Sequence, residues 1–198
     1  KHVLATSELE RGVLTFAYFL AGVLGIPFWL WLSGRIGKHR AWCGAMVFAC
    51  LAFAFVPLLG PGDFALFAIV CVVTGIALGA DMALPPAIQA DVAEYDYYRN
   101  RRDSSGTLFA LWSMVVKLSL ALSVVIAFPT LDWLGFDPDL PRDENNLLAL
   151  AVIYSIVPIV FKTCAIVLVW RYPLTARKQA VIRRRIAERE DRHARTVT

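Results

Sequence analysis

At 198 residues, 58% apolar and 18% charged, with a mean hydropathy of +0.59, the chain departs from a soluble domain, which is nearer half apolar and a quarter charged. The same figures exclude a disordered chain, which is poor in apolar residues and rich in charge. Its 20 basic and 16 acidic residues leave a net charge of +4, but they stand in blocks between long apolar runs rather than over a surface.

Residues 1–11 precede the first apolar run, and no short Arg-led leader of the signal-peptide type is found there. The chain opens on Lys1, so this stretch reads as an external segment at a truncation point. Five runs then meet the requirement of about 20 mostly apolar residues for a membrane-spanning helix. Runs 12–32 and 41–60 carry no charge, 64–90 carries Asp81, 105–130 carries Lys117 and 146–170 carries Lys162. All other charged residues fall outside the runs. The fold class expected is all-α, a polytopic membrane bundle with five transmembrane helices over 12–170, followed by a basic tail over 171–198.

Lys and Arg counts in the connections give an orientation. The segments 33–40, 91–103 and 171–198 hold fifteen basic residues, against Lys1, Arg11 and Arg142 on the other side. The basic side is expected to be cytoplasmic, with the N-terminus outside and the C-terminus inside, as in a bacterial inner membrane protein. Trp29, Trp31, Trp42, Trp170 and Tyr172 flank the cytoplasmic ends and Trp133 an external end, where headgroup-level rings belong. The basic tail reads as a solvated helix near anionic lipid. Without interleaved aromatics it does not read as a nucleic-acid arm. Cys43, Cys50, Cys71 and Cys164 lie inside apolar runs without a C-x-x-C pair, as buried small hydrophobes. His2, His39 and His193 are scattered, so no His-based metal or catalytic set is visible.

A charge near the bilayer centre costs about 2.5–3.5 kcal/mol on insertion scales, so Asp81, Lys117 and Lys162 should face protein or water. Asp81 lies roughly 14 Å and Lys117 roughly 16 Å from their cytoplasmic helix ends at 1.5 Å per residue. On neighbouring antiparallel helices the two can sit level, as a midplane pair lining a translocation cavity or as a clip between helices. Pro85 and Pro86 remove the donors for the carbonyls of Asp81 and Met82, and Gly75 and Gly79 allow another helix to approach closely. Phe109, Ser113 and Lys117 share one helix face bordered by Trp112, a set suited to stacking and hydrogen bonding with a sugar. Lys162 can snorkel part of the way to the interface. The segment 91–103, with Asp91, Glu94, Arg99, Arg101 and Arg102, reads as a solvated loop or as a charge-paired cytoplasmic gate working against another half of the molecule.

The stretch Ala90–Leu122, ADVAEYDYYRNRRDSSGTLFALWSMVVKLSLAL, resembles the tenth-to-eleventh helix region of the glycoside–pentoside–hexuronide:cation symporter family, the melibiose-permease-like branch of the major facilitator superfamily. The shared order is Ala-Asp, then Asp/Glu-Tyr at a helix end, a charged loop, and a helix bearing a lysine; here these are Asp91, Glu94, Tyr95 and Lys117. Gly34–Arg40, GRIGKHR, is similar to the superfamily's Asp-Arg-x-Gly-Arg loop, with Gly34 in place of the acid. The resemblance implies helices eight to twelve of a rocker-type symporter, with helix seven and the N-terminal half absent. It implies that Lys117 lies near the sugar and cation sites and that Trp112 and Ser113 contact sugar. Asp81 and Met82 fall where the family contributes an aromatic to the sugar site. It further implies a small-molecule solute and a coupling Na⁺ or H⁺ bound mostly in the N-terminal half, with no other cofactor.

The function expected is cation-coupled symport of a sugar, glycoside or related polar solute, not enzyme catalysis. The alternatives are lysolipid transport within the same branch and a non-transporting membrane subunit that docks a partner through its basic tail. A membrane enzyme has Asp91 and Glu94 as its only candidate pair.

Overall fold

The computed structural model describes residues 8–58, 63–133, 144–172 and 176–197. Among these it is all-α, as expected. Helix α1 spans Glu8–Ile36 and α2 Lys38–Phe55, continued by a single 3-10 turn over Val56–Leu58; α3 spans Phe64–Asn100, α4 Ser105–Trp133, α5 Glu144–Trp170 and α6 Ala176–Val197. Over their described residues the five apolar runs lie in α1 to α5 and the 3-10 turn that follows α2, and α6 is made from the basic tail. Gly12–Ile36, Phe64–Asn100 and Ser105–Trp133 are long and apolar enough to cross a membrane over their described residues; Ser155–Trp170 is a shorter apolar stretch. Positions 1–7 of the expected external segment, and Arg142, lie outside the described residues.

The turns follow from local chemistry. Gly37 alone joins α1 to α2, at φ +95°, with its N–H on Ser33 O (2.9 Å) and its carbonyl accepting from Ala41 N–H (3.0 Å). Only glycine takes that backbone conformation without strain. The segment 91–103, expected to be a loop, is helical as far as Asn100. No Gly or Pro interrupts it, and the Asn100 side-chain amide donates back to Asp96 at 2.7 Å. The helix stops at Arg101, at φ 55°, and Asp103 receives the Ser105 N–H at 3.0 Å to start α4. Nor do Pro85 and Pro86 end α3. They leave two carbonyls without helical donors inside a continuous helix.

Helices α1 and α3 meet at their glycines. A Cβ added to Gly75 would lie 2.4 Å from Tyr18 O, and one added to Gly79 would lie 2.4 Å from Gly22 O. That backbone-to-backbone approach is what the small-x-x-x-small spacing permits. Trp29, Ala41, Ala45, Ala80 and Leu84 form the core beneath it. Helix α5 packs on α2, and α6 lies against the Asn100 end of α3. Helix α4 contributes no buried residue. The bundle's exterior is apolar: Phe16, Leu24, Phe128 and Leu168 are all strongly exposed. Such a surface suits a bilayer and not water.

Candidate functional site

Two polar networks hang on α3. The first surrounds Asp81. The Trp42 indole N–H of α2 donates to Asp81 Oδ1 at 2.8 Å, and Lys162 Nζ of α5 donates to Oδ2 at 2.8 Å. The side chains of Lys162 and Asp81 are 23% and 33% exposed, so the ion pair is enclosed but reachable. Tyr18 on α1 lies within electrostatic reach of Asp81, and Cys50 on α2 within reach of Lys162. A carboxylate in apolar surroundings needs such partners, since an unpaired charge there is costly.

The second network is centred on Asp91, about 15 Å further along α3 at 1.5 Å per residue. Asp91 is buried, and Lys38 Nζ from the first turn of α2 meets its Oδ1 at 2.6 Å while also donating to Ala87 O at 3.1 Å. Arg183 of α6 lies 3.5 Å from the same Asp91 oxygen and donates through Nε to Glu94 at 2.7 Å. Arg185 donates to the Tyr98 hydroxyl at 3.0 Å, and the Arg189 guanidinium stacks 4.8 Å over the Tyr98 ring. Three helices are thus tied at one end of the bundle. Glu94 holds the Arg183 guanidinium above its ordinary range, and the Arg185 hydrogen bond draws the Tyr98 hydroxyl below its own. Burial, then Asp91, push the Tyr172 hydroxyl up, and that oxygen has no hydrogen-bond partner among the described residues.

His39 sits beside this network, its ring 6.0 Å from that of Tyr172. Burial, and secondarily Arg40, lower its pKa below the ordinary 6.5. A histidine held neutral in the fold contributes stability above the unfolded pKa and loses it as pH falls toward the folded value. The melting temperature of the protein in detergent should therefore fall more steeply with acidification below about pH 6.5 than that of His39→Gln. Parallel curves would remove His39 from the acid response.

Residues 1–176 match the model of the MFS/sugar transport protein family. The chain belongs to that family. It is 26% identical over 186 residues to a glucuronide carrier protein homolog of Escherichia coli (strain K12), covering 90% of this chain and 39% of that protein. It is 21% identical over 165 residues to a sphingosine-1-phosphate transporter of Xenopus tropicalis, covering 82% and 32%. An uncharacterized symporter of Synechocystis is 22% identical over 191 residues, covering 93% and 35%. The chain therefore spans about two fifths or less of the length of each of these relatives. As a member of the MFS/sugar transport family with an apolar helical exterior, it is an integral membrane protein of a transporter family, and the expected family resemblance holds.

Within this family member the sequence-predicted residues fall unevenly. Asp81 does form an intramembrane ion pair, but with Lys162, not with Lys117. The reason is packing: α5, not α4, lies on α2 beside Asp81, while α4 is linked to α3 by the Gln89 side chain, which donates to Leu108 O at 3.2 Å. Lys117 is exposed and makes no hydrogen bond or ion pair among the described residues. Ser113 and Met82 are also exposed and Trp112 is half-buried, none of them in the Asp81 network. At the other end Asp91 and Glu94 pair with Lys38 and Arg183, whereas Arg99, Arg101 and Arg102 are exposed and make no ion pair among the described residues. The aromatic belt is corrected too. Trp29 is buried with its indole N–H on Ile76 O at 2.8 Å, and Trp42 points to Asp81; Trp31, Trp133 and Trp170 remain exposed. Cys43 is buried, but Cys164 is exposed.

Proposed function

We propose that the chain is the C-terminal part of a secondary active transporter that moves a sugar, glycoside or related polar solute by alternating access, coupled to Na⁺ or H⁺. The observation that carries this reading is the Asp81–Lys162 pair with its Trp42 donor, enclosed within a helix bundle of apolar exterior. Ionisable residues at membrane depth mark solute and ion pathways. The relatives named a glucuronide carrier homolog and a symporter support solute transport with coupling. In this reading the exposed Lys117, Trp112, Ser113 and Met82 face the solute and the other half of the transporter. The Asp91 network is the cytoplasmic closure, and the basic side, including α6, is cytoplasmic with the N-terminus outside, in a bacterial inner membrane.

The test is uptake by the full-length protein in proteoliposomes under imposed Na⁺ or H⁺ gradients. Accumulation of a labelled sugar or glycoside above equilibrium, collapsed by the matching ionophore, is the expected result. Equilibration without accumulation under both gradients would refute coupling.

A second reading, lysolipid transport, has its own observation. An apolar groove of about 700 Å³ runs between α1, α2 and α3, lined by Leu24, Phe28, Phe48, Val72 and Ile76. It has the character of an acyl-chain channel, and a relative is named as a sphingosine-1-phosphate transporter. Labelled lysolipid belongs in the same uptake assay.

A further inference from the structure

We propose that Lys162 is the subsite for an anionic group on the solute, and that Asp81 is the group that accepts a proton when the solute displaces it, so that one proton travels with each anion. This inference rests on the transport reading above and adds the solute's charge, the coupling ion and the residues that exchange them.

The geometry supplies a site that is satisfied when empty yet not saturated. An ammonium carries three N–H donors. Among the described residues Lys162 gives one to Asp81 and none elsewhere, and its side chain is 23% exposed. An anion can therefore reach free donors on Lys162 before the Asp81 bond breaks. Asp81 is held on the other side by the Trp42 indole, whose N–H anchors Oδ1 and leaves Oδ2 as the oxygen that Lys162 occupies. Lys162 can turn away while Asp81 stays in place. Its four-carbon stem allows that movement without any change in the helix.

Charge conservation supplies the coupling. The empty pair sums to zero. A solute anion at Lys162 would leave the site at minus one, in surroundings where an uncompensated charge is expensive. Among the described residues, the other titratable groups within reach of the pair are Tyr18 on α1, beside Asp81, and Cys50 on α2, beside Lys162; Cys71 on α3 lies near Tyr18, and none of the three supplies a positive charge. Proton uptake at Asp81 Oδ2 restores neutrality. Written out, the carboxylate–ammonium pair plus one solute anion plus one proton gives a carboxylic acid at Asp81 and an ammonium–anion pair at Lys162. The only covalent bond formed is O–H at Asp81. It breaks when the solute leaves and Lys162 returns, which releases the proton on the side to which the solute departs.

The anion can be a sugar carboxylate or a lipid phosphate, since both present oxygens to an ammonium. The experiment therefore uses the full-length protein in proteoliposomes containing a pH dye, with three probes: methyl β-D-glucuronide, its neutral counterpart methyl β-D-glucoside, and lysophosphatidylglycerol, whose phosphodiester carries the single negative charge that the step requires. The expected result is that one of the two anions enters with one proton per molecule, faster as external pH is lowered, and the responding probe identifies the source of the anion. Asp81→Asn should keep downhill anion movement but lose the proton and the pH dependence. Lys162→Gln should lose anion uptake by roughly tenfold or more, equivalent to about 1.4 kcal/mol of binding, while Lys162→Arg retains it.

Uptake of the neutral glycoside without proton movement would overturn the inference and leave the transport reading intact. Full coupled uptake by the charge-swapped Asp81→Lys/Lys162→Asp protein would also overturn it, because the pair would then be only a clip between helices. If no probe moves, calorimetric titration of the purified protein with each probe, in buffers of different ionisation enthalpy, decides the matter. Anion binding with uptake of one proton upholds the site while transport fails; binding without proton uptake, or no anion binding, refutes it.

Discussion

Lys162→Met should lower the thermal midpoint of the purified protein well beyond the effect of Asp81→Asn. Removing the ammonium leaves the Asp81 carboxylate with the Trp42 N–H as its one remaining hydrogen-bond donor among the described residues. Breaking a buried pair from one side costs about 3–5 kcal/mol, because the surviving charge stays in a poor solvent. Asp81 is 33% exposed, which places the cost at the lower edge of that range. Asp81→Asn is milder: the amide oxygen still accepts from Trp42, and the lysine left behind can extend its long stem toward a more polar level. The double variant Lys162→Met/Asp81→Asn should recover much of the loss, since two partners in one ion pair are not additive. Additive losses in that cycle would mean that the pair is not coupled in the folded protein.

The second large effect belongs to the helix crossing. Gly79→Ala places a methyl 2.4 Å from Gly22 O and 3.0 Å from Ile26 N, both backbone atoms that no side-chain rotation can move away. Helices α1 and α3 must separate, and overpacking of this kind costs about 1–3 kcal/mol. The same separation pulls Trp29 away from its hydrogen bond on Ile76 O. Gly44→Ala is the control, because nothing lies within 4 Å of its added methyl. There the helix should gain up to about 0.5–1 kcal/mol from lost chain entropy. Equal melting temperatures for Gly79→Ala and Gly44→Ala would show that the crossing is looser than described.

What the sequence discloses follows from how local each determinant is. The five apolar runs are legible because lipid imposes its requirement segment by segment, and the Gly75–Gly79 spacing is legible because the glycines mark close approach by themselves. The partner of Asp81 is not. Counted at 1.5 Å per residue, Lys162 lies roughly 12 Å and Lys117 roughly 16 Å from their helix ends, so both are level enough with Asp81 to serve. Choosing between them requires knowing that α5 lies on α2, a contact between distant segments. Trp42 misleads for a related reason. Four residues into α2, close after Lys38 and Arg40, it has the sequence context of a headgroup anchor, yet its long indole reaches inward. The charges of 91–100 suggest a loop, although helix continues wherever no breaker intervenes. The partners of Asp91 and Glu94 are spread over more than a hundred residues of chain, from Lys38 to Arg183, beyond what periodicity can report.

The length of α3 carries a mechanical consequence. Its 37 residues make a rod of about 55 Å, whereas the hydrocarbon core of a bilayer is about 30 Å thick. Asp81 lies near the middle of that rod, and Asp91, Glu94 and Tyr98 lie along the arm beyond it. If the proposed departure of Lys162 lets the helix tilt about Asp81, a small rotation there would be magnified toward the far end. The arginines of α6 grip the rod there, so they act at the longest leverage: a modest pull on that arm can resist, or release, a rearrangement deep inside the bundle.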